Sequence, residues 1–142
     1  MTRDDLLQFL NANPLCSLAT VEGGEPRVRG MHLYLAEASG LLFHTAEPKD
    51  LYRQVRENPR AEACFVSPDG HLQIRVRGEM EVVEDLELKK EMVNAREYLQ
   101  PLVWSNGFDI LKVLRMKNCT ALIWTSDLDF MPKMPIELTD PA

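Results

Sequence analysis

Residues 14–59, PLCSLATVEGGEPRVRGMHLYLAEASGLLFHTAEPKDLYRQVRENP, read as strand, Gly-Gly turn, strand, Ser-Gly turn, strand, and then a helix from Pro48 that stops at Asn58-Pro59. Basic residues stand at the joints of this pattern. Side chains alternate along a strand, so Arg27 and Arg29 share a face with Met31, Leu33 and Leu35, with charge at one end and apolar surface at the other. Lys49 falls in the first turn of the helix, where backbone N–H groups are unpaired and the dipole is positive. A lysine there is electrostatically unfavourable unless something negative lies close by. Arg29 and Lys49 are therefore the candidate ligands of a phosphate or similar anion. Thr45 and His44 end the third strand just before the Ala46-Glu47-Pro48 turn and join the same place. Arg53 and Arg56 lie outside the apolar stripe of Leu51, Tyr52 and Val55 and are expected to form a solvated helix face.

Outward from this stretch, Leu6, Leu7 and Leu10 repeat at helical spacing over residues 3–11, and Pro14 ends the segment. The nearly unbroken apolar run Leu15 to Val21 suggests a strand covered on both sides, and Arg27 to Ala36 a single strand. Ala61 to Ser67 and His71 to Val83 are two further strands around Pro68-Asp69-Gly70. The second places Leu72, Ile74, Val76, Gly78, Met80 and Val82 on one face, and Gln73, Arg75 and Arg77 on the other. Asp85 is a good N-cap for a helix carrying Leu88, Met92, Ala95 and Leu99 up to Gln100-Pro101. Residues 101–107 read as a connection, Phe108 to Lys117 and Cys119 to Thr125 as a hairpin turning at Asn118, and 126–142 as an extended arm. About seven strands, mostly in hairpins, with two substantial helices predict a mainly β fold: one domain over 1–142, a small antiparallel barrel flanked by helices.

Composition narrows the function. The 142 residues, 45% hydrophobic and 27% charged, can bury roughly two thirds of the surface of the unfolded chain without staples. Net charge is -6, with -1 over residues 1–78 and -5 over 79–142. A general nucleic-acid binder would be basic, so an anionic ligand must be held by a local pocket in the first half. No apolar run reaches the roughly 18 residues a membrane span needs, and the opening does not read as a signal peptide, which predicts a cytoplasmic protein with no membrane or nucleic-acid partner. Cys16, Cys64 and Cys119 are odd in number, form no CxxC pair and are expected to be buried as small apolar groups in strands.

Nucleotide-loop, metalloprotease and hydrolase-elbow motifs are all missing, and His32, His44 and His71 are not spaced as metal ligands, so no metal site is expected. The succession PRVRGM, LLFHTAEPKDLYRQVRENP and LQIRVRGEMEVVED resembles the pyridoxamine 5'-phosphate oxidase-like FMN-binding split barrels, above all their short NimA/NimC-like bacterial branch, over about residues 12–125. The resemblance implies a six-to-seven-stranded split barrel, a homodimer, and FMN bound non-covalently at the dimer interface, with an unidentified small molecule as substrate. By position it implies flavin contacts from Arg29, from the backbone of Gly30, Met31 and His32, from His44 and Thr45, from the phosphate ligand Lys49, and from Gln73. Catalysis would rest on the flavin, with no dedicated side-chain acid or base. Tyr34 stands where the true oxidases carry a lysine, and FMPKMPIELTDPA has no counterpart of their C-terminal arginine–histidine pair. The resemblance therefore does not extend to pyridoxamine phosphate oxidation. Left open are a non-catalytic flavin-binding stress protein, and the same barrel holding deazaflavin F420 or haem, the last through His44.

Overall fold

The structure is a computed structural model that describes residues 1–142. Its helices are α1 (Arg3–Ala12), α2 (Asp50–Glu57), α3 (Leu86–Ala95) and α4 (Gln100–Asn106). The strands are β1 (Leu15–Glu22), β2 (Glu25–His32), β3 (Leu35–Glu37), β4 (Gly40–Ala46), β5 (Arg60–Val66), β6 (Gln73–Val83), β7 (Leu111–Trp124) and β8 (Ile136–Glu137). All pairings are antiparallel, in the order β2-β1-β5-β6-β7-β4-β3, with β8 added to β7.

The order explains why the expected strand from Arg27 to Ala36 is broken. β2 and β3 follow each other in the chain but occupy opposite edges of the sheet. Between them Leu33 donates its N–H to Pro14 O at 2.9 Å, and Tyr34 donates to Leu42 O at 2.8 Å. One residue is thus bound to each edge, and two residues cross the seam of a sheet that curls into a split barrel without closing it. Asn11 of α1 seals the seam from outside: its amide accepts from Ala36 N at 2.8 Å and donates to Ala36 O at 2.9 Å, as a neighbouring strand would.

The β1–β2 turn matches its sequence. Glu22 pairs with Glu25, and Gly23 and Gly24 both have positive φ, as a two-residue hairpin requires. The expected hairpin at Asn118 is instead one continuous 14-residue strand. Asn118 has φ 52°, and the β6–β7 register slips between Arg77 and Glu79, so that Asn118 and Cys119 lie opposite the single residue Gly78. A left-handed asparagine serves a bulge as well as a turn, which is why the sequence signal misled. Gly78 is needed there, since a Cβ would meet Lys117 O at 2.6 Å.

Two clusters fill the structure. Inside the barrel, Leu18, Phe43, Phe65, Ile74, Val76, Leu114 and Met116 pack with Leu6 and Leu10 of α1 and with Leu51 and Val55 of α2. Outside it, Leu42, Leu111 and Val113 of β4 and β7 are covered by Met92 and Val93 of α3, by Leu99 and by Val103 of α4. The segment read as a connection at 101–107 is helical because Pro101 sits in the first turn, where its missing N–H costs nothing. The helix expected to run from Asp85 to Leu99 stops at Ala95, and Ala95 is exposed. β1 is not covered on both sides: Cys16, Leu18 and Thr20 are buried, but Leu15 and Ser17 face out. On α2 the buried trio is Leu51, Gln54 and Val55, with Tyr52 only half-buried. β6 starts at Gln73, leaving His71 in the preceding turn, and the arm ends in β8 with Leu138 fully buried. No helix is long and apolar enough to cross a membrane.

Candidate functional site

Arg29 lies on the inward face of β2, half-buried against α2. Its guanidinium donates to Leu18 O at 3.2 Å, to Thr20 Oγ1 at 2.8 Å, and to Gln54 Oε1. Thr20 donates to the same Gln54 oxygen at 2.6 Å, and Gln54 Nε2 donates to Glu22 Oε2 at 3.0 Å. Gln54 is therefore what ties α2 to β1 and β2. Apolar periodicity could not reveal it, because a buried amide looks like a gap in the stripe. The nearby carboxylates are already engaged: Arg53 pairs with Glu22 and with Asp50 at 2.9 Å. Arg27 turns away toward Pro26 O at 3.0 Å and Glu22 at 3.9 Å, and it is exposed. Burial pulls the pKa of Arg29 down and Asp50 opposes this, but an arginine stays charged under such conditions. Arg29 is thus a half-buried cation with no ion-pair partner.

Lys49 occupies the N-cap of α2, and no side chain caps the helix. The turn is held by backbone bonds, Lys49 N to Ala46 O at 3.0 Å and Glu47 N to Ile110 O at 2.9 Å. Lys49 is exposed and engages no carboxylate, while Thr45 beside it is buried. The open N–H groups of the first helical turn, a lysine and an arginine that reaches the next turn of the same helix together suit an anion. Gly30 is exposed, with open space where a Cβ would be, so its backbone offers a bare surface one residue from Arg29.

His44 points to the other side of β4, toward the junction between α3 and α4. Arg96, in the break after α3, places Nη1 2.7 Å from His44 Nε2. The same guanidinium donates to His32 O at 3.2 Å and Leu33 O at 2.8 Å, and it stacks 5.3 Å from the Tyr34 ring centroid. The Tyr98 hydroxyl lies 3.5 Å from His44 Nε2. Burial first, then the charges of Arg96, Lys49 and His32, push the His44 pKa down to about 4. His32, whose side chain is exposed at the end of β2, is also lowered, by burial and then by Arg96. Arg96 escaped sequence reading because a single arginine between two helices belongs to no spacing pattern.

Gln73 is not part of this cluster. It lies on the outward face of β6, three strands from β2, in a row with Val66 and Trp124. Its neighbours include Cys64, whose Sγ is 3.8 Å from Gln73 Oε1. Gln73 and Arg75 line a cavity of about 760 Å³ under the C-terminal arm, with Trp124, Met131, Met134 and Ile136. Trp124 Nε1 donates to Asp129 Oδ1 at 2.8 Å and pins the arm there. Within one chain the cation cluster and this cavity are separate. Met31 faces inward against the core.

Residues 2–112 match a family model described as pyridoxamine 5'-phosphate oxidase. A pyridoxine/pyridoxamine 5'-phosphate oxidase of Anaeromyxobacter dehalogenans is 34% identical over 90 residues, which take in 60% of this chain and 46% of that one, so the match spans about half of the curated relative. Among solved structures, a NimC/NimA family protein of Clostridium acetobutylicum superposes with a TM-score of 0.76 at 23% identity, over 94% of this chain and 91% of that chain. HutZ of Vibrio cholerae, described as a haem storage protein, superposes with a TM-score of 0.63 at 14% identity, over 80% and 87% of the two chains.

Proposed function

Because this chain belongs to the pyridoxamine 5'-phosphate oxidase family, we propose that it is a homodimeric FMN-binding oxidoreductase acting on a small molecule. The observation that carries this reading is a pair of cations that form no ion pair along one helix, Lys49 at the uncapped start of α2 and Arg29 bonded to Gln54 one turn on. A phosphate there would receive charge-assisted hydrogen bonds from both side chains. Bound flavin supplies the hydride or electron chemistry. The chain's own groups bind and orient: Arg29 and Lys49 hold the phosphate, Thr45 lies beside it, and the bare backbone at Gly30 allows close approach of a flat ring. Met31 and His32 contribute backbone, and His44 forms the rim.

Gln73 reaches this cleft only from a second copy, since its own chain places it three strands from Arg29. A second copy is supported by the outward face of β1, β2 and β5, where Leu15, Val28 and Val66 are 72%, 70% and 42% exposed. Three free cysteines support a reducing, cytoplasmic setting. The haem alternative is disfavoured by Arg96, which occupies the His44 nitrogen that iron would need.

The test is to titrate FMN and riboflavin against wild type and Lys49→Ala by quenching of flavin fluorescence. Removing one charge-assisted bond should cost about 1.5–3 kcal/mol for FMN, a loss of roughly tenfold to over a hundredfold, and leave riboflavin unchanged. Equal losses for both ligands would contradict the phosphate assignment. Steady-state reduction by a nicotinamide donor then separates an enzyme from a flavin-binding protein that does not turn over.

A further inference from the structure

The hydrogen bond between Arg96 and His44 fixes more than a distance. A guanidinium has donors and no acceptor, so at 2.7 Å from Nη1 the His44 Nε2 must present its lone pair. The Tyr98 hydroxyl, 3.5 Å from the same nitrogen, can also donate to it. A proton on Nε2 would point an N–H at an N–H. Nδ1 has no partner within the chain and must carry the proton of the neutral ring. We propose that Arg96 is a positioning residue that holds His44 in one neutral tautomer, protonated on Nδ1, so that the only nitrogen His44 can offer a ligand is a hydrogen-bond donor.

Arg96 is itself held firmly. Its guanidinium is bonded to the carbonyls of His32 and Leu33, where the chain crosses the barrel seam, and is packed over Tyr34. The groups facing His44 are Arg96 and Tyr98 from the α3–α4 junction, Lys49 from the start of α2 and His32 from β2. None is a carboxylate, so nothing around the ring favours a second proton. A donating Nδ1–H suits a ligand that presents acceptor atoms, such as the carbonyl oxygens and ring nitrogens of a flavin. That meaning rests on the flavin reading, whereas the tautomer itself does not.

The experiment therefore uses the 15N-labelled 142-residue chain without added flavin and records long-range 1H–15N correlations of the histidine rings. Wild type should show His44 with a pyrrole-type Nδ1 and a pyridine-type Nε2 across neutral pH. Arg96→Lys, which keeps a donor, should retain that pattern. Arg96→Met should lose it, and the titration midpoint should rise from about 4 while staying below the ordinary 6.5, because burial, the larger cause, remains. Arg96→Met should also gain a haem Soret band on incubation with haemin that wild type lacks, and the added His44→Ala change should remove it. A wild-type ring protonated on Nε2, or an Arg96→Met protein with unchanged tautomer and titration, would overturn the proposal. If Arg96→Met does not fold, the wild-type and Arg96→Lys spectra decide. FMN titration of the same samples judges the flavin reading separately: absence of binding would sink that reading and leave the tautomer assignment standing.

Discussion

The two halves of the sheet are covered differently. β4 and β7 are packed on both faces, inward by the barrel core and outward by Met92, Val93, Leu99 and Val103 from the helical segment 86–106. β1, β2 and β5 are packed only inward. Leu15 and Val28 stand exposed on their outward face, beside Ser17 and Gly30, with Val66 of β5 on the same face. Apolar side chains scattered singly on a surface need no explanation, but here they share one face of three adjacent strands. A chain that covers the outward face of one half of its barrel with α3 and α4 and leaves the outward face of the other half bare has, on our account, a second copy of itself for that task. The cation cluster lies at the boundary between the two halves, where β2 ends and β4 meets α2.

Four substitutions probe this contrast. The largest effect is expected in the covered half. Leu42 is 2% exposed, and Leu42→Ala should lower unfolding stability by about 2–5 kcal/mol in urea titration, whereas Leu15→Ala should change the isolated fold by about 0.5 kcal/mol or less. Similar losses at both sites would erase the distinction between the halves.

A middle-sized effect is expected at Glu84. This carboxylate serves two buried lysines, Lys89 Nζ at 3.2 Å and Lys112 Nζ at 3.7 Å. Glu84→Gln would leave Lys89, 3% exposed, with neutral acceptors only, the amide oxygen and Phe108 O at 3.3 Å, and should cost about 1–3 kcal/mol. The hydrogen bond from Lys89, then the charges of Lys89 and Lys112, hold the Glu84 pKa below its ordinary 4.5. Its contribution is therefore fully present above pH 4.5 and lost as pH falls through the lower folded value. Denaturation midpoints measured from neutral to acid pH should converge for wild type and Glu84→Gln, and parallel curves would assign the stability elsewhere.

The smallest effect on the fold, and the one that sharpens the contrast most, is expected for Val28→Glu. A charge at a 70% exposed position should leave the melting curve of a single chain nearly unchanged while dissociating the dimer in size-exclusion chromatography. Retention of the dimer would move the interface to another surface.

Much of this was legible in the sequence, for reasons that particular residues make plain. Alternation from Leu72 to Val82 fixed the inward face of β6, and Gly23-Gly24 fixed the first hairpin, because both signals are local. Arg29 and Lys49 stood out because charge at a strand end and at a helix start is unusual, and in the fold neither forms an ion pair. Signals that serve two structures failed: the left-handed Asn118 marks a bulge rather than a turn, and the apolar Leu15 belongs to an outward face rather than to a buried strand. Gln54 and Arg96 were invisible for another reason. Their roles arise from partners 25 or more residues away, at Arg29, His32 and His44, which no spacing rule connects.

The central claim is that two copies of this chain enclose FMN between their uncovered half-sheets. Sedimentation velocity of the FMN-saturated protein, followed at once by protein and by flavin absorbance, tests it most directly. The account predicts a single boundary at twice the 16.2 kDa chain mass carrying one flavin per chain. A boundary at the mass of one chain, or flavin absorbance that does not sediment with the protein, would contradict it.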